Sequence, residues 1–193
     1  MQHIPNLISL LRILLVIPTA LALWRDQYPQ ALILMSVAGV SDAVDGGLAR
    51  RYGWTSELGR ALDPIADKLL VGTMIVVFTL HGQLPLWVAL IVVSRDFIIL
   101  LGAAAYWHWF EKIGFTPTLL SKANTAMQIA TLVLLLLALC DFGAISEWAA
   151  VVVDPYLFYV LALLAVASGT DYVVTWGRRA LASSRRHPTI RQD

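Results

Sequence analysis

Long apolar segments constrain this chain more than any other feature of its sequence. There are six: 7–24, 30–49, 63–81, 85–109, 121–140 and 155–176. A helix of about 20 apolar residues is what crosses the hydrocarbon core of a bilayer. Only 14% of the residues are charged, and the mean hydropathy of +0.72 exceeds that of soluble globular domains. The sequence therefore predicts an all-α integral membrane protein, residues 1–193 forming one domain of six transmembrane helices.

The basic residues predict the orientation of these helices. Arg12, Lys68 and Arg95 fall within the spans, which leaves 11 of the 14 Lys and Arg residues in the connecting segments. If the spans alternate, ten of these lie on one side and only Arg25 lies opposite. Because cytoplasmic loops are enriched in Lys and Arg, both termini are predicted to be cytoplasmic. The C-terminal tail, about 180–193, is predicted to be flexible.

A cleavable signal peptide is the alternative interpretation of the first span, because an Ala-x-Ala site follows its apolar stretch. A signal peptide carries its basic residue ahead of the apolar stretch, whereas Arg12 lies within it. We therefore expect the first helix to be retained.

Four aspartates interrupt the apolar pattern between residues 41 and 70. Asp42 and Asp45 are three residues apart, and Asp63 and Asp67 are four apart, so each pair shares one face of a helix. A short turn between the two helices would bring all four carboxylates together. In a low-dielectric setting they cannot all stay ionised unless cations neutralise them. Oxygen ligands suit Mg²⁺ or Mn²⁺, and paired metal sites of this kind serve phosphoryl chemistry.

Small and basic residues accompany the aspartates. Small side chains leave room for close approach by a backbone or a ligand, and arginines bind phosphate. These residues are Gly46, Gly47, Ala49, Gly59, Arg50, Arg51 and Arg60. Tight helix packing would explain the small residues one by one, but it does not require four carboxylates in register. Metal, phosphate and a small-residue cleft together indicate a nucleotide-diphosphate site.

The spacing Asp42-x₂-Asp45-Gly46-x₂-Ala49-Arg50-x₈-Gly59-x₃-Asp63-x₃-Asp67 resembles the signature of the CDP-alcohol phosphatidyltransferases at all eight fixed positions. The stretches "IPNLISLLR", "LDPIADKLL", "VSRDFII" and "SKANTAMQI" resemble the glycerophospholipid branch of that family. The resemblance implies transfer of a phosphatidyl group from CDP-diacylglycerol to an alcohol, with release of CMP. It further implies a homodimer in the inner membrane, with its active site at the cytoplasmic face. No nucleic acid partner is expected.

The resemblance also implies roles for individual residues. Asp42, Asp45, Asp63 and Asp67 would hold two divalent cations, Mg²⁺ or Mn²⁺, and Asp67 would also be the base that deprotonates the acceptor hydroxyl. The residues that would line the CDP pocket are Gly46, Ala49, Arg50, Gly59, Asn6 and Arg12.

The acceptor alcohol is less closely constrained. Family members that use glycerol 3-phosphate usually carry a second Arg about two turns after the pair Arg95-Asp96, whereas residues 101–104 here read Leu-Gly-Ala-Ala. We therefore expect phosphatidylglycerol as acceptor, with cardiolipin as product, and keep glycerol 3-phosphate as the alternative. Arg95 and Lys122 are candidates for binding the acceptor phosphate. The alternatives are that Arg95 pairs within the bundle and that Lys122 anchors a helix at the interface.

Two other classes of membrane protein fit this sequence less well. Prenyltransferases also use acidic motifs and metals, but theirs lie in separate halves of a longer bundle. An ion-binding transporter would place polar groups and broken helices near the midplane, often in paired halves. This sequence has no paired halves, and its charge lies at one face.

Overall fold

Helices are the only regular secondary structure in the part of the chain that the structure describes. A computed structural model describes the backbone of residues 4–52, 57–109 and 118–184, and the side chains of 10–41, 66, 68–102 and 118–175. The helices are α1 (Ile4–Trp24), α2 (Tyr28–Tyr52), α3 (Glu57–Leu80), α4 (Leu86–Trp109), α5 (Leu119–Ala138), α6 (Ala144–Val151) and α7 (Phe158–Ser184). A kinked segment, Val152–Leu157, in which Asp154 has non-helical backbone angles (φ −110°, ψ 116°), joins α6 to α7. Within these ranges there is no strand, which confirms the predicted all-α class.

Each of the six predicted apolar segments lies on a helix, but the helices and the segments differ at their ends. α2 and α3 extend further toward each other than the apolar segments 30–49 and 63–81 do. Backbone hydrogen bonds sustain a helix through polar residues, whereas hydropathy falls as soon as the aspartates begin. The sequence analysis missed α6 entirely, because it placed the start of the last span at Pro155. Residues 110–117, between the predicted segments 85–109 and 121–140, lie outside the described residues.

Short turns reverse the chain at one end of the bundle. Between α1 and α2, Asp26 adopts a left-handed φ of 55°, and the amide of Gln27 donates to the carbonyl of Ala22. Between α3 and α4, Gly82 has a φ of 71°, a conformation that glycine adopts without steric cost. The gap between the predicted apolar segments 63–81 and 85–109 is thus a tight turn. Because these connections are so short, consecutive helices run antiparallel.

Two groups of helices make up the bundle. α1 packs against both α2 and α3, and α7 packs against both α4 and α5. Contacts of α5 with α2 and α3, and of α4 with α3, join the two groups. α1 and α5 therefore both border the helices that carry the aspartate motif.

The apolar core occupies one end of this bundle. It is formed by the end of α1, the start of α2, the end of α3, the start of α4, the end of α5 and the start of α7. Its members include Leu23, Met35, Met74, Phe78, Val88, Leu132, Leu136 and Leu161. We call this the apolar end. The opposite end, which carries residues 42–67, we call the motif end.

The outer surface of the described helices is also apolar. Large side chains such as Ile33, Leu90 and Leu163 are 60–73% exposed. Apolar surface on this scale is not found on soluble monomers and is what lipid-facing helices present. Two helical segments, Leu119–Ala138 and Ala144–Thr175, are long and apolar enough to cross a membrane, and shorter apolar helical segments lie at Leu10–Trp24, Tyr28–Ser41 and Lys68–Leu80.

Candidate active site

The aspartate motif spans the facing ends of α2 and α3. Asp42 and Asp45 lie in the last part of α2, and Asp63 and Asp67 lie in the first part of α3. Helical backbone at both places confirms that each pair occupies one helix face. Residues 52 and 57 are five peptide steps apart, a distance of at most about 18 Å even for fully extended chain. The side chains of all four aspartates lie outside the described residues.

The chemistry of this donor set fits hard divalent cations. All four candidate ligands are carboxylates, which supply the oxygen atoms that Mg²⁺ and Mn²⁺ prefer. Among the side chains that the structure describes, no group of three His, Cys, Asp or Glu residues could hold a metal ion. Within the described side chains, then, no second cluster competes with the aspartates as the metal site.

Most of the predicted CDP-pocket residues are described by their backbone alone. Asn6 lies on α1, Gly46, Ala49 and Arg50 lie on α2, and Gly59 lies on α3. The side chains at these positions lie outside the described residues.

Arg12 is the one predicted CDP-pocket residue whose side chain is described. It lies on α1, and only 1% of its surface is exposed although it is a guanidinium in an apolar helix. It lines a cavity of about 120 Å³, together with Ala38 and Gly39 of α2 and Leu70 of α3. The buried guanidinium of Arg12 on α1 thus lies at the cavity that α2 and α3, the two motif helices, also line. Ionisable residues buried in membrane helices mark functional sites more often than not.

Arg95 is the centre of a polar network that connects three helices. The residue is buried, and its Nε and Nη2 donate to Ser168 Oγ of α7 at 3.2 and 2.7 Å. Nη2 also donates to Ser121 Oγ of α5, and Nη1 donates to Asp96 Oδ1, both at 2.7 Å. Charge-assisted hydrogen bonds from every guanidinium nitrogen fix this side chain in place. This geometry favours the structural role that the sequence left open for Arg95.

Lys68 extends the network to α3. Its Nζ lies 2.8 Å from Asp96 Oδ2, so Asp96 joins Lys68 to Arg95. Lys68 directly follows Asp67 in the sequence, and its side chain is 54% exposed. The ion pair therefore attaches the motif end of α3 to α4. The sequence analysis did not predict this contact.

Lys122 lies in the first turn of α5 and is exposed. Its amide donates to the carbonyl of Thr118, whose hydroxyl caps the helix by accepting from the amide of Ser121. An exposed cation on a fixed helix start is free to reach a ligand phosphate or the membrane interface. The structure thus leaves both interpretations of Lys122 in place.

Two buried amides on α5 were missed by the sequence analysis. Asn124 and Gln128 are 0% and 3% exposed, and they lie four residues apart on one helix face. Within the described part of the chain, neither the Asn124 amide nor Nε2 of Gln128 has a hydrogen-bond partner. The available signal was their spacing within an otherwise apolar run, since polar groups in membrane helices turn inward.

The described helices form an apolar bundle that carries the acidic motif at one end and the buried cations Arg12 and Arg95 toward that end. The sequence model of the CDP-alcohol phosphatidyltransferase family matches residues 2–156. The chain belongs to that family of transferases, as its motif predicted.

Curated relatives point to the glycerophospholipid branch. A Drosophila melanogaster protein named probable cardiolipin synthase (CMP-forming) is 32% identical over 89% of this chain and 56% of its own length. A Streptomyces coelicolor cardiolipin synthase (CMP-forming) is 33% identical over 76% of this chain and 73% of its own. A Mycobacterium tuberculosis protein named probable phosphatidylglycerophosphate synthase is 31% identical over 89% of this chain and 80% of its own. The chain thus spans little more than half the length of the Drosophila relative.

Proposed function

We propose that this protein transfers the phosphatidyl group of CDP-diacylglycerol to phosphatidylglycerol, forming cardiolipin and releasing CMP. The observation that carries the proposal is the complete eight-position motif, Asp42 to Asp67, at the facing ends of two helices. Family membership and the names of the Drosophila and Streptomyces relatives support it.

The proposed reaction is a displacement at phosphorus. The acceptor hydroxyl loses its proton to Asp67, its oxygen forms a bond to the phosphorus that carries diacylglycerol, and the bond from that phosphorus to the CMP oxygen breaks. A positioned carboxylate within reach of the hydroxyl serves as general base. No covalent enzyme intermediate is needed, because alignment and charge stabilisation supply most of the rate.

The remaining motif residues would bind and orient the donor. Asp42, Asp45, Asp63 and Asp67 would hold two divalent cations, which when bound neutralise the negative charge of the diphosphate. Arg50 would bind the phosphates, and Gly46, Ala49 and Gly59 would leave room for CDP. Asn6 and Arg12 would border the same pocket. The burial of Arg12 beside α2 and α3 supports its part in this assignment.

One position in the structure, residue 102, supports phosphatidylglycerol as the acceptor. Gly102 lies seven residues after Arg95, where a second arginine would serve a phosphomonoester acceptor. A Cβ at residue 102 would lie 2.7 Å from Cε1 of Tyr172, so the tyrosine ring fills the space that a longer side chain would need. Of the two candidate acceptor-phosphate residues, Lys122 is exposed, whereas the polar atoms of Arg95 are engaged with Ser121, Ser168 and Asp96.

The second candidate function uses glycerol 3-phosphate as acceptor and forms phosphatidylglycerophosphate. It is favoured by the name of the Mycobacterium relative and by a Rickettsia typhi protein named as a CDP-diacylglycerol–glycerol-3-phosphate 3-phosphatidyltransferase, which is 27% identical over 89% of this chain. The chemistry at phosphorus is the same in both reactions.

We further propose six membrane-spanning helices in the inner membrane, both termini and the motif end at the cytoplasmic face, and a homodimer. The basic residues support this orientation. Exposed aromatic residues support a membrane interface at the apolar end, without indicating its side: the Trp24 ring contacts His81 edge-on, and the Trp87 ring centroid lies 5.4 Å from that of Tyr159. Such aromatic residues form belts at membrane interfaces.

Purified protein in detergent with Mg²⁺ or Mn²⁺ and CDP-diacylglycerol would test the proposal. Parallel reactions would offer phosphatidylglycerol or glycerol 3-phosphate, and mass spectrometry would identify CMP and the lipid products. Cardiolipin in the first reaction alone supports the proposed acceptor. Phosphatidylglycerophosphate in the second alone replaces it with the second candidate. Product in neither contradicts both.

A further inference from the structure

A cavity of about 170 Å³ lies between α3, α4 and α5, next to the network of Arg95. Most of its wall is apolar, from residues such as Val71, Gly72 and Phe97. Its polar atoms come from three side chains, which are Lys68 of α3, Asp96 of α4 and Gln128 of α5. A small number of polar groups in an apolar cavity is the usual composition of a site that orients a small ligand group.

Gln128 contributes a hydrogen-bond donor to this cavity without a partner. Only 3% of the residue is exposed, and within the described structure its Nε2 donates to no other group. A buried donor without a partner lowers the stability of the fold. Such a group is therefore expected to donate to an oxygen atom of a ligand. Asn124, one turn nearer the motif end, is fully buried and carries a second amide that has no hydrogen-bond partner among the described residues.

The other polar groups complement this donor. Asp96 accepts from Lys68 at 2.8 Å and from Arg95 at 2.7 Å, and these two contacts hold the carboxylate in place at the cavity wall. Lys68 and Gln128 donate, and the Asp96 oxygens accept. A group with adjacent hydroxyls, each able to donate and accept, matches this arrangement better than an apolar chain or a lone cation would.

The cavity also borders the part of α3 whose backbone carries the proposed base. Lys68 follows Asp67 directly on α3, and one residue advances a helix by about 1.5 Å. We infer that this cavity binds the glycerol group of the acceptor, with the Gln128 amide donating to an acceptor oxygen. The inference rests on the proposed function and specifies where the acceptor alcohol lies: between α3, α4 and α5, on the α5 side of the motif.

Two substitutions of Gln128 isolate its donor. Gln128→Met keeps the length of the side chain and removes all hydrogen bonding, and Gln128→Glu keeps its shape and replaces the N–H donor by an acceptor. Thr131→Val is the matched control, because Thr131 is equally buried on α5 but its hydroxyl is satisfied by the carbonyl of Met127. KM for CDP-diacylglycerol and for each acceptor would be measured with the full chain in mixed micelles, for all three variants and wild type.

Both Gln128 variants are expected to raise KM for the productive acceptor by about tenfold, the effect of losing one buried hydrogen bond. KM for CDP-diacylglycerol should stay within about twofold, and Thr131→Val should leave both values unchanged. If Gln128→Met does not fold, the acceptor KM of Gln128→Glu still tests the inference.

Folded Gln128 variants that turn over at the wild-type rate with an unchanged acceptor KM would contradict this inference but not the proposed function. An equal rise in KM for CDP-diacylglycerol and for the acceptor would do the same. Absence of lipid product from the wild-type protein with either acceptor would instead contradict the proposed function, and this inference would fail with it. Reactions with phosphatidylglycerol and with glycerol 3-phosphate show which source of the glycerol group the cavity serves.

Discussion

The two ends of this bundle are built from the same helices but have different interiors. At the apolar end, Met74, Phe78, Val88 and Leu136 are fully buried against one another. Toward the motif end, the buried side chains include Arg12, Arg95, Asn124, Gln128 and Ser168. Close packing of the first kind stabilises a fold, whereas buried polar groups cost free energy unless they are paired. The comparison indicates that the apolar end holds the helices together so that the motif end can carry chemistry.

Removal of metal should produce the largest difference between the two ends. Chelation by EDTA is expected to reduce CMP release by at least about 10³-fold, because metal ions contribute several kcal/mol to such transition states. Readdition of Mg²⁺ or Mn²⁺ should restore it. The apolar end contains none of the proposed ligands, so circular dichroism should show unchanged helix content. Undiminished CMP release by protein that elemental analysis shows to be metal-free would contradict the proposed metal dependence of the motif end.

Phe78→Ala tests the apolar end. The side chain is fully buried, and its truncation should lower the free energy of unfolding by about 3–5 kcal/mol through lost contacts and a residual cavity. The acceptor KM should change little, because the cavity between α3, α4 and α5 does not include this residue. Denaturant unfolding in detergent measures the first quantity. Leu80→Ala is the control, since Leu80 is 67% exposed on the same helix; equal losses for the two variants would refute the proposed role of the apolar end.

Ser168→Ala should have an intermediate effect on stability. It removes the hydroxyl that accepts from both Nε and Nη2 of Arg95, and hydrogen bonds to charged groups contribute about 1.5–3 kcal/mol. Thr170→Val on the same helix provides the control, because Thr170 is exposed and its hydroxyl donates to the carbonyl of Val166 within its own helix. A Ser168→Ala variant as stable as Thr170→Val would show that the hydrogen bonds between Arg95 and Ser168 contribute nothing to the free energy of unfolding.

The ion pair between Lys68 and Asp96 should have the smallest effect. Because Lys68 is half exposed, a double-mutant cycle with Lys68→Met and Asp96→Asn should give a coupling energy of about 1 kcal/mol or less. High salt should weaken it further. A coupling of several kcal/mol would place this pair in a much drier environment than its exposure indicates.

The sequence predicted the helices better than it predicted their contacts. The length of the apolar runs located six helical segments, because a bilayer demands long apolar helices whatever their partners are. α6 was missed because an eight-residue helix beside Pro155 lacks the length that identified the others. The aspartate motif was recognisable because its spacing is local, within 26 residues of sequence.

Contacts between distant residues could not be predicted in this way. Arg95 binds Ser121 and Ser168, which lie 26 and 73 residues further along the chain, so the sequence left its role open. Gln128 Nε2, which has no partner among the described residues, likewise becomes meaningful only when the neighbouring helices are in place.

The central claim, that the motif end performs the chemistry, is tested most directly by Asp67→Asn. CMP release from CDP-diacylglycerol and the apparent melting temperature would be measured on the same preparation. Asp141→Asn serves as the control: Asp141 is exposed near the apolar end with a φ of 55°, which Asn adopts readily. We predict that Asp67→Asn loses CMP release and keeps the wild-type melting temperature, while Asp141→Asn keeps both. Undiminished CMP release by Asp67→Asn would contradict the account.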